Sequence, residues 1–335
     1  MEIKHPYLMF LGDAPDHLTA KVADGVAKWR PDWCIGQFRM PECKADLGLT
    51  DMNLEEAVAA GCKTLIVGVA NRGGVISESW RSTLSTALDL GMDIASGLHS
   101  KLADIPELVE KANANGCKLF DVRHPTEDFA VANGVKRKGK RVLGVGTDCS
   151  VGKMFTALAI HKEMEARGMN CSFRATGQTG IFIAGSGVSV DAVVADFISG
   201  ASEVLSPEND DPNHWDIVEG QGSLFHASFA GVSLGLLHGS QPDALIMCHV
   251  AQRDHMRGLP TYHLPPIVDC IATSEHMGQL TNPNCKVVGI SVNTSMLDDA
   301  EAIGYLKALE EETGLPAVDA YRHGAAKLVD ALAKI

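Results

Sequence analysis

One stretch of this chain decides its fold: Arg141-Val142-Leu143-Gly144-Val145-Gly146-Thr147-Asp148-Cys149-Ser150-Val151-Gly152-Lys153-Met154. An apolar run typical of a buried strand leads into a turn of small residues, and Gly152-Lys153 then opens a helical pattern that continues to Arg167. A strand, a glycine-containing turn and a Gly-Lys pair at a helix start gather backbone N–H groups and one ammonium around a pyrophosphate. The stretch therefore predicts a phosphate-binding loop in an α/β fold.

The loop departs from the usual pattern at two points. That pattern has four residues between its glycines and ends in Ser or Thr, whose hydroxyl binds Mg²⁺. Five residues separate Gly146 from Gly152 here, and Met154 takes the last place. A thioether is a poor ligand for a hard cation that prefers oxygen. We therefore predict a loop that holds phosphate without the magnesium hydroxyl, formed by Gly146, Thr147, Cys149, Ser150, Val151, Gly152, Lys153 and Met154.

Length and charge limit the classes of function. A chain of 335 residues favours two domains, each with its own core. The formal net charge of −13 argues against nucleic acid and against an anionic membrane surface, because a phosphate polymer would be repelled. The nine cysteines contain no Cys-x-x-Cys pair, which is typical of reduced thiols. With neither an apolar leader nor an uncharged run of about 18 residues, we expect a cytoplasmic protein.

The first part of the chain alternates strand-like and helical patterns. Such alternation predicts parallel strands with crossover helices, here a Rossmann-like α/β domain. The polar, basic segment 133–140 marks a boundary, so we predict a Rossmann-like domain over 1–135 and a P-loop domain over 141–335. The predicted strands are 7–11, 33–36, 64–69, 92–95 and 118–122, and the helices between them are 16–29, 53–60, 77–90 and 105–115.

The second part repeats this pattern around the phosphate loop, as in the parallel α/β domain of P-loop NTPases. Its first helix is predicted over 153–167, directly after the loop. Four further strands are predicted at 171–175, 217–219, 244–248 and 287–291, and two closing helices at 297–312 and 325–334.

Two motifs resemble one group of P-loop enzymes. The pattern Gly-Thr-Asp-x-x-Val-Gly-Lys, residues 146–153, resembles the phosphate loop of dethiobiotin synthetase and its relatives. The segment 215–224, with Glu219 before a glycine-rich turn, resembles the strand end that faces the nucleotide in those enzymes. The match departs at Met154, where those enzymes have Thr.

A wider resemblance covers nearly the whole chain. The segments 68–74, 175–180 and 219–241 resemble a two-domain bacterial and archaeal family, long described as uncharacterised, whose members have been linked to D-glutamate N-acetylation. This resemblance implies an N-acetyltransferase of D-amino-acid catabolism that acts on the amine of an acidic D-amino acid, D-glutamate. It also implies that acetyl-CoA is the co-substrate, with its pyrophosphate in the loop, and acetyl transfer from a thioester needs no metal.

Acetylation of an amine defines the residue types to look for. The ammonium must lose a proton before attack, and the oxyanion that forms needs oriented donors. Glu219 is the first candidate for the base, followed by Asp148 and His226, since all three lie on loops expected at the carboxyl ends of parallel strands. Lys153 is expected to hold phosphate rather than to react.

An acidic amino acid also needs cationic and polar partners. Arg72 follows a strand in a glycine-flanked loop and could pair with a carboxylate, and Arg253 lies in another polar loop. Gln178 and Gln221 complete the predicted substrate-binding set. The histidines between 226 and 263 fit no common zinc spacing, so we predict no metal site.

Two other functions stay open from the residues. The first is an ATP- and Mg²⁺-dependent ligase or kinase resembling dethiobiotin synthetase, in which Asp148 and Glu219 hold the metal. The second is a protein that senses a nucleotide or CoA without chemistry. As partners we expect a small-molecule substrate and further copies of the chain in a homo-oligomer, with no nucleic acid and no membrane.

Overall fold

The structure, a computed structural model, describes residues 2–71, 73–125 and 127–335. Arg72, predicted to bind substrate, lies outside the described residues. The chain forms two compact units. The first contains Met1–Glu127 and Gly177–Ala192, and the second contains Asp128–Thr176 and Val193–Ile335.

Strands and helices alternate from residue 7 to residue 121. The strands are β1 (Tyr7–Gly12), β2 (Cys34–Arg39), β3 (Thr64–Val67), β4 (Asp93–Ser96) and β5 (Leu119–Asp121). The helices are α1 (Lys21–Trp29), α2 (Leu54–Ala59), α3 (Glu78–Asp89) and α4 (Pro106–Asn115). Every strand and helix predicted for this part is therefore present, with its ends shifted by a few residues.

The second part has more elements than the sequence predicts. Its strands are β6 (Lys140–Gly146), β7 (Cys171–Arg174), β8 (Trp215–Val218), β9 (Ala244–Val250), β10 (His255–Met256), β11 (Leu259–His263), β12 (Lys286–Asn293) and β13 (Ala317–Val318). Its helices are α5 (Lys153–Ala166), α6 (Gln178–Ala184), α7 (Ile198–Leu205), α8 (Ala230–Ser240), α9 (Ile267–Gln279), α10 (Asp299–Thr313) and α11 (Ala326–Leu332).

The sheet of the first unit is wholly parallel, with the order β2-β1-β3-β4-β5. The chain order reverses between β1 and β3, which is the topological switch point of a doubly wound fold. Helices cover the sheet, and buried residues of strands and helices form a hydrophobic core between them. This core includes Phe10, Leu65, Trp80 and Leu84. The predicted Rossmann-like domain is confirmed.

One segment that lies late in the sequence belongs to the first unit. Helix α6 packs against α1, where a Cβ at Gly25 would lie 2.9 Å from Cγ2 of Thr179. The Tyr7 hydroxyl on β1 donates a hydrogen bond to the Phe182 carbonyl at 3.3 Å. Residues 177–192 thus complete the first unit, although they follow a strand of the second.

The sheet of the second unit is also wholly parallel, with the order β13-β12-β9-β6-β8-β7. Strand β6, which carries the phosphate loop, lies between β8 and β9. Because parallel strands end at one edge, the segments that follow these three strands meet there. The predicted P-loop domain is confirmed, and this edge positions its functional groups.

Helix α8 shows why some elements escape prediction from sequence. Its residues include Gly231, Gly235 and Gly239, and glycine is a poor helix former. Gly235 and Gly239 permit close packing against α7, since a Cβ at Gly239 would lie 2.2 Å from the Ser199 carbonyl oxygen. Tertiary packing therefore outweighs the local preference of this segment.

The helices are of ordinary length for a globular fold. The longest among the described residues is α10, with 15 residues. In the described ranges, none is at once long enough and apolar enough to cross a membrane.

Candidate phosphate-binding site

The loop between β6 and α5 closes over the start of the helix. Gly152 precedes the helix with a φ of 93°, a conformation that side chains with a Cβ rarely adopt, and Ser150 also has a positive φ of 52°. A Cβ at Gly146 would lie 2.9 Å from the Asp148 carbonyl oxygen. Glycine at these two positions therefore lets the loop curl tightly, as predicted for the strand, turn and helix from 141 onward.

The Lys153 ammonium lies inside this curl. The side chain is buried, and its Nζ donates a hydrogen bond to the Asp148 carbonyl oxygen at 3.1 Å. Burial lowers the pKa of Lys153, while the nearby Cys248, Cys149, Asp148 and Glu219 act in the opposite direction. An ammonium has three protons to donate, and within the described part of the chain Nζ makes this one hydrogen bond. Bound phosphate oxygens would satisfy the others.

Asp148, a candidate base, is a buried hub with both carboxylate oxygens in use. Its Oδ1 accepts the N–H of Cys149 at 2.6 Å. Its Oδ2 accepts Nη1 of Arg253 at 2.9 Å and the backbone N–H of Arg257 at 2.8 Å. Proton uptake by this carboxylate would weaken all three bonds, so its position suits it to organising the loop.

Arg253, a candidate for substrate binding, is tied to the same loop. Besides Asp148, its guanidinium donates to the carbonyl oxygens of Cys149 at 2.9 Å and Ser150 at 3.4 Å. The side chain is about a quarter exposed, at 23%. It therefore fixes the outer side of the loop and adds positive charge near the place where phosphate would bind.

His226 is held by two main-chain groups. Its Nδ1 accepts the backbone N–H of Ser228 at 3.1 Å, so Nε2 carries the proton and donates to the Arg257 carbonyl at 3.0 Å. This assigns the neutral Nε2–H tautomer to a buried ring. Both nitrogens are engaged, and His226 thus anchors the segment around Arg257 close to Asp148.

Three potential metal ligands meet at this point. One atom each of Asp148, Cys149 and His226 lies within 4.8 Å of the other two. The donor set does not suit a cation, since Nδ1 of His226 and both oxygens of Asp148 already accept hydrogen bonds and a guanidinium lies beside the carboxylate. The absence of a metal from the site stays a prediction.

Glu219, the first candidate for the base, follows β8 at the same edge of the sheet. Its Oε2 accepts the N–H of Thr176 at 2.9 Å, and its carbonyl accepts the Thr176 hydroxyl at 2.8 Å. Gln221 donates from Nε2 to that hydroxyl oxygen at 3.1 Å. A Cβ at Gly220 would lie 1.7 Å from the Gly144 carbonyl oxygen, so glycine is required for this turn to lie against β6. Glu219 is thereby brought close enough for its charge to act on the Lys153 ammonium.

A chain of hydrogen bonds connects Thr147 in the loop, through His249, to Tyr305 in α10. The Thr147 hydroxyl contacts Nδ1 of His249 at 3.0 Å, and Nε2 of His249 contacts the Tyr305 hydroxyl at 2.9 Å. Burial lowers the pKa of His249 to about 4, with a smaller contribution from the charge of Arg253. The imidazole is therefore neutral at physiological pH, and its link to the loop has no local signal in the sequence.

The remaining predicted site residues are Cys149, Met154 and Gln178. Burial raises the pKa of Cys149, which keeps its side chain a thiol and fits the role of a small loop residue. Met154 is the half-buried second residue of α5. Gln178 begins α6 in the first unit and packs against Gly97, where a Cβ would lie 2.0 Å from its Oε1.

A pocket of about 440 Å³ opens directly beside the loop. Val151, Gly152 and Phe155 form one side of it. The rings of Phe155 and Tyr321 meet edge to face, with centroids 5.4 Å apart. The other side is formed by residues on or after β12 and β13, namely Ser291, Val292, Asn293, Ser295, Leu297, Asp319, Tyr321 and Arg322. The pocket was not predicted from the sequence, although β12, one of these two strands, was.

Comparison with known proteins extends these observations over the whole chain. Residues 39–125 match the Rossmann-like domain of unknown function DUF1611_N, and residues 130–329 match the P-loop domain of unknown function DUF1611_C. A crystal structure of a DUF1611 family protein from Anabaena variabilis is similar, with a TM-score of 0.84 and 32% identity, covering 99% of this chain and 100% of that one.

Two curated relatives are similar along their full length. A protein from Tritonibacter scottomollicae named D-glutamate N-acetyltransferase is 59% identical over 333 residues, which is 99% of this chain and 100% of the relative. A protein of the same name from a Pseudoalteromonas species is 50% identical over 329 residues, or 98% of this chain and 99% of the relative. Both domains are thus shared with these proteins.

Proposed function

This chain belongs to the two-domain DUF1611 family and is an acyltransferase, and we propose that it transfers the acetyl group of acetyl-CoA to the amine of D-glutamate. The names of the two curated relatives support the substrate and the group that is transferred. The choice of acetyl-CoA as donor has different support. It comes from the phosphate loop, because acetyl-CoA carries a pyrophosphate.

The observation that carries this choice is the continuity of loop and pocket. Val151 and Gly152 belong to the loop and also line the pocket of about 440 Å³. A pyrophosphate beside Lys153 would place the attached adenosine in that pocket, against the rings of Phe155 and Tyr321. Aromatic rings and a helix start are what an adenosine diphosphate group requires.

In the proposed reaction, Glu219 is the general base. Its carboxylate takes a proton from the substrate ammonium, and the free amine attacks the thioester carbonyl. The C–N bond forms, the C–S bond breaks, and the second amine proton leaves with the CoA sulfur. Gln221, which lies beside Glu219 through Thr176, would donate a hydrogen bond to a substrate carboxylate. Lys153 holds phosphate and takes no part in proton transfer.

The ATP-dependent alternative has less support. It assigns Mg²⁺ to Asp148 and Glu219. The Asp148 carboxylate accepts the guanidinium of Arg253 at 2.9 Å, and this positive charge opposes a divalent cation at the same oxygen. Met154 also lacks the hydroxyl that such a cation uses.

The experiment is a product assay by mass spectrometry. The purified chain receives acetyl-CoA with D-glutamate, and in parallel with L-glutamate or with ATP and Mg²⁺ in place of acetyl-CoA. We expect N-acetyl-D-glutamate and CoA in equal amounts in the first reaction. Product formation that requires ATP, or none with acetyl-CoA, would overturn the proposal.

A substitution tests the assignment of the base. Glu219→Gln keeps an oxygen that accepts the Thr176 N–H but cannot take a proton, so kcat should fall by about 10²- to 10⁴-fold with the KM for acetyl-CoA unchanged. The matched control is Glu208→Gln, because the Glu208 side chain is 54% exposed and pairs with Lys138 on the surface. Equal losses in both variants would contradict a role of Glu219 in proton transfer.

A further inference from the structure

Arg322 has a fixed backbone at the edge of the pocket. The Asp319 carboxylate accepts the N–H of Arg322 at 3.0 Å and that of Tyr321 at 3.1 Å through Oδ1. Its Oδ2 accepts the N–H and the hydroxyl of Thr294 at 2.9 and 2.6 Å. This buried carboxylate accepts four hydrogen bonds, so it holds the segments after β12 and β13 together.

The Arg322 guanidinium is positioned but weakly neutralised. Its Nη1 donates to the Leu297 carbonyl at 3.2 Å and to the Thr294 hydroxyl at 3.3 Å. Its Nη2 pairs with Asp299, whose side chain is 83% exposed. Such exposed ion pairs contribute little, because water and salt screen both charges. Within the described residues, the Nε of Arg322 donates to no acceptor, so the charge can be shared with an anion.

We propose that Arg322 binds the 3′-phosphate of CoA and so makes this site select CoA over ADP and ATP. The inference rests on the proposed function, because it assumes that the pyrophosphate lies at the loop. The 3′-phosphate is carried by the ribose, which lies between adenine and pyrophosphate. Loop residues Val151 and Gly152 line one pocket together with Arg322, so a ribose within it brings its phosphate toward Arg322.

The chemistry of the two anions favours the 3′-phosphate over Asp299 as the partner of the Arg322 guanidinium. A phosphate monoester is a dianion near neutral pH, and arginine binds phosphate through parallel hydrogen bonds. Asp299 offers a single carboxylate that is hydrated on its exposed side. A dianion within the pocket is less screened than that carboxylate, and it would therefore displace Asp299 from the guanidinium.

The test is a calorimetric comparison of CoA with 3′-dephospho-CoA at constant salt. The wild-type chain should bind CoA at least about tenfold more tightly. Arg322→Gln should lose this preference while its affinity for 3′-dephospho-CoA stays within about twofold. Asp299→Asn removes the competing carboxylate, keeps the arginine, and should increase the preference.

The outcomes separate the subsite from the proposed function. If the wild type binds neither compound, the proposed function falls and the subsite with it. If the wild type binds both equally, or if Asp299→Asn leaves the preference unchanged, the subsite is wrong and the proposed function stands. If Arg322→Gln weakens both ligands equally, the arginine only holds the loop after β12, which also overturns the inference.

Discussion

A buried positive charge lies at each end of the second sheet, and the two charges differ in the number of hydrogen bonds they make. At the amino end, Arg141 in β6 is 1% exposed, and its guanidinium donates to Ser206 Oγ at 2.7 Å and to several carbonyl oxygens. Next to it, Asp216 accepts Nε of Arg174 at 2.7 Å. At the carboxyl end, Lys153 is 7% exposed and donates one hydrogen bond to the residues that the structure describes.

The difference in hydrogen bonding indicates two roles: Arg141 stabilises the fold, and Lys153 is available to bind a ligand. Burial of an ion is costly unless hydrogen bonds and opposite charges compensate it. Arg141 has an acceptor for every N–H group of its guanidinium, so hydrogen bonds within the protein offset the free-energy cost of burying its charge. Among the described residues, Lys153 has one acceptor, the Asp148 carbonyl, and an anion bound at the loop would offset the remaining free-energy cost of its burial. The first unit has no comparable case, since its described residues include no buried charged side chain.

The largest expected effect is on stability, at the amino end. Arg141→Met leaves the Ser206 hydroxyl and the surrounding carbonyls short of a donor and should lower the free energy of unfolding by about 3–5 kcal/mol. Urea unfolding measures this change, and kcat of the folded fraction should be unaffected. Arg167→Met is the matched control, because its ion pairs are partly exposed and should contribute about 1 kcal/mol or less. A loss at Arg141 no greater than at Arg167 would remove the contrast between the two ends.

The next effect is on catalysis, at the carboxyl end. Lys153→Met should lower kcat/KM for acetyl-CoA by about 10²-fold, mainly by raising KM, because a hydrogen bond between charged groups contributes up to about 3 kcal/mol to binding. Its free energy of unfolding should be unchanged or higher, because a poorly compensated buried ammonium is replaced by an apolar side chain of similar length.

The control for this change lies on the same helix. Lys162→Met alters an exposed position of α5 and should change neither quantity. If Lys153→Met destabilises the fold as strongly as Arg141→Met, then Lys153 is a structural charge and the two ends are alike.

A third effect depends on pH. Since burial lowers the pKa of His249 to about 4, the unfolded chain takes up a proton near pH 6.5 that the folded chain takes up only near pH 4. This histidine therefore contributes stability above pH 6.5, up to about 3 kcal/mol, which is lost as the pH falls from 6.5 to 4.

The comparison of wild type with His249→Gln isolates this contribution. Other groups titrate in both proteins, so the measured quantity is the difference between their free energies of unfolding at several pH values. The difference should be constant between pH 7.5 and 8.5 and should shift in favour of the variant below pH 6.5. A difference that is independent of pH would show that the imidazole is not held neutral.

Features that depend on neighbouring residues were predicted from the sequence. The strand, loop and helix around Lys153 follow from apolar patterning and from Gly146 and Gly152, which permit the tight turn. The approach of Glu219 to the loop was also predicted, since parallel strands end at a common edge and a second motif marks that strand. Both depend on local rules that the sequence displays directly.

Features that depend on strand order or on distant pairs were not predicted. The pair of Asp148 and Arg253 joins residues 105 positions apart, and no local pattern encodes it. Arg322 and the loop line the same pocket only because β12 and β13 lie beyond β9 in the sheet. Helix α6 joins the first unit through packing against α1, which glycine at position 25 permits. Tertiary contacts decide each of these positions.

The smallest expected effect is that of substituting Met154. It tests whether the phosphate loop, at the carboxyl end of the second sheet, serves acetyl transfer or ATP hydrolysis with Mg²⁺. Met154→Thr restores the hydroxyl by which a P-loop usually binds Mg²⁺. If the loop holds a pyrophosphate for acetyl transfer, the hydroxyl has no cation to bind, and kcat/KM for acetyl-CoA should stay within about twofold, as for other partly buried changes that leave no polar group unpaired. Met154→Leu is the control for size. ATP turnover that appears in Met154→Thr and not in Met154→Leu would mean that the loop retains a nucleotide-hydrolysis site, because the added oxygen would then have completed the ligand set of a magnesium ion.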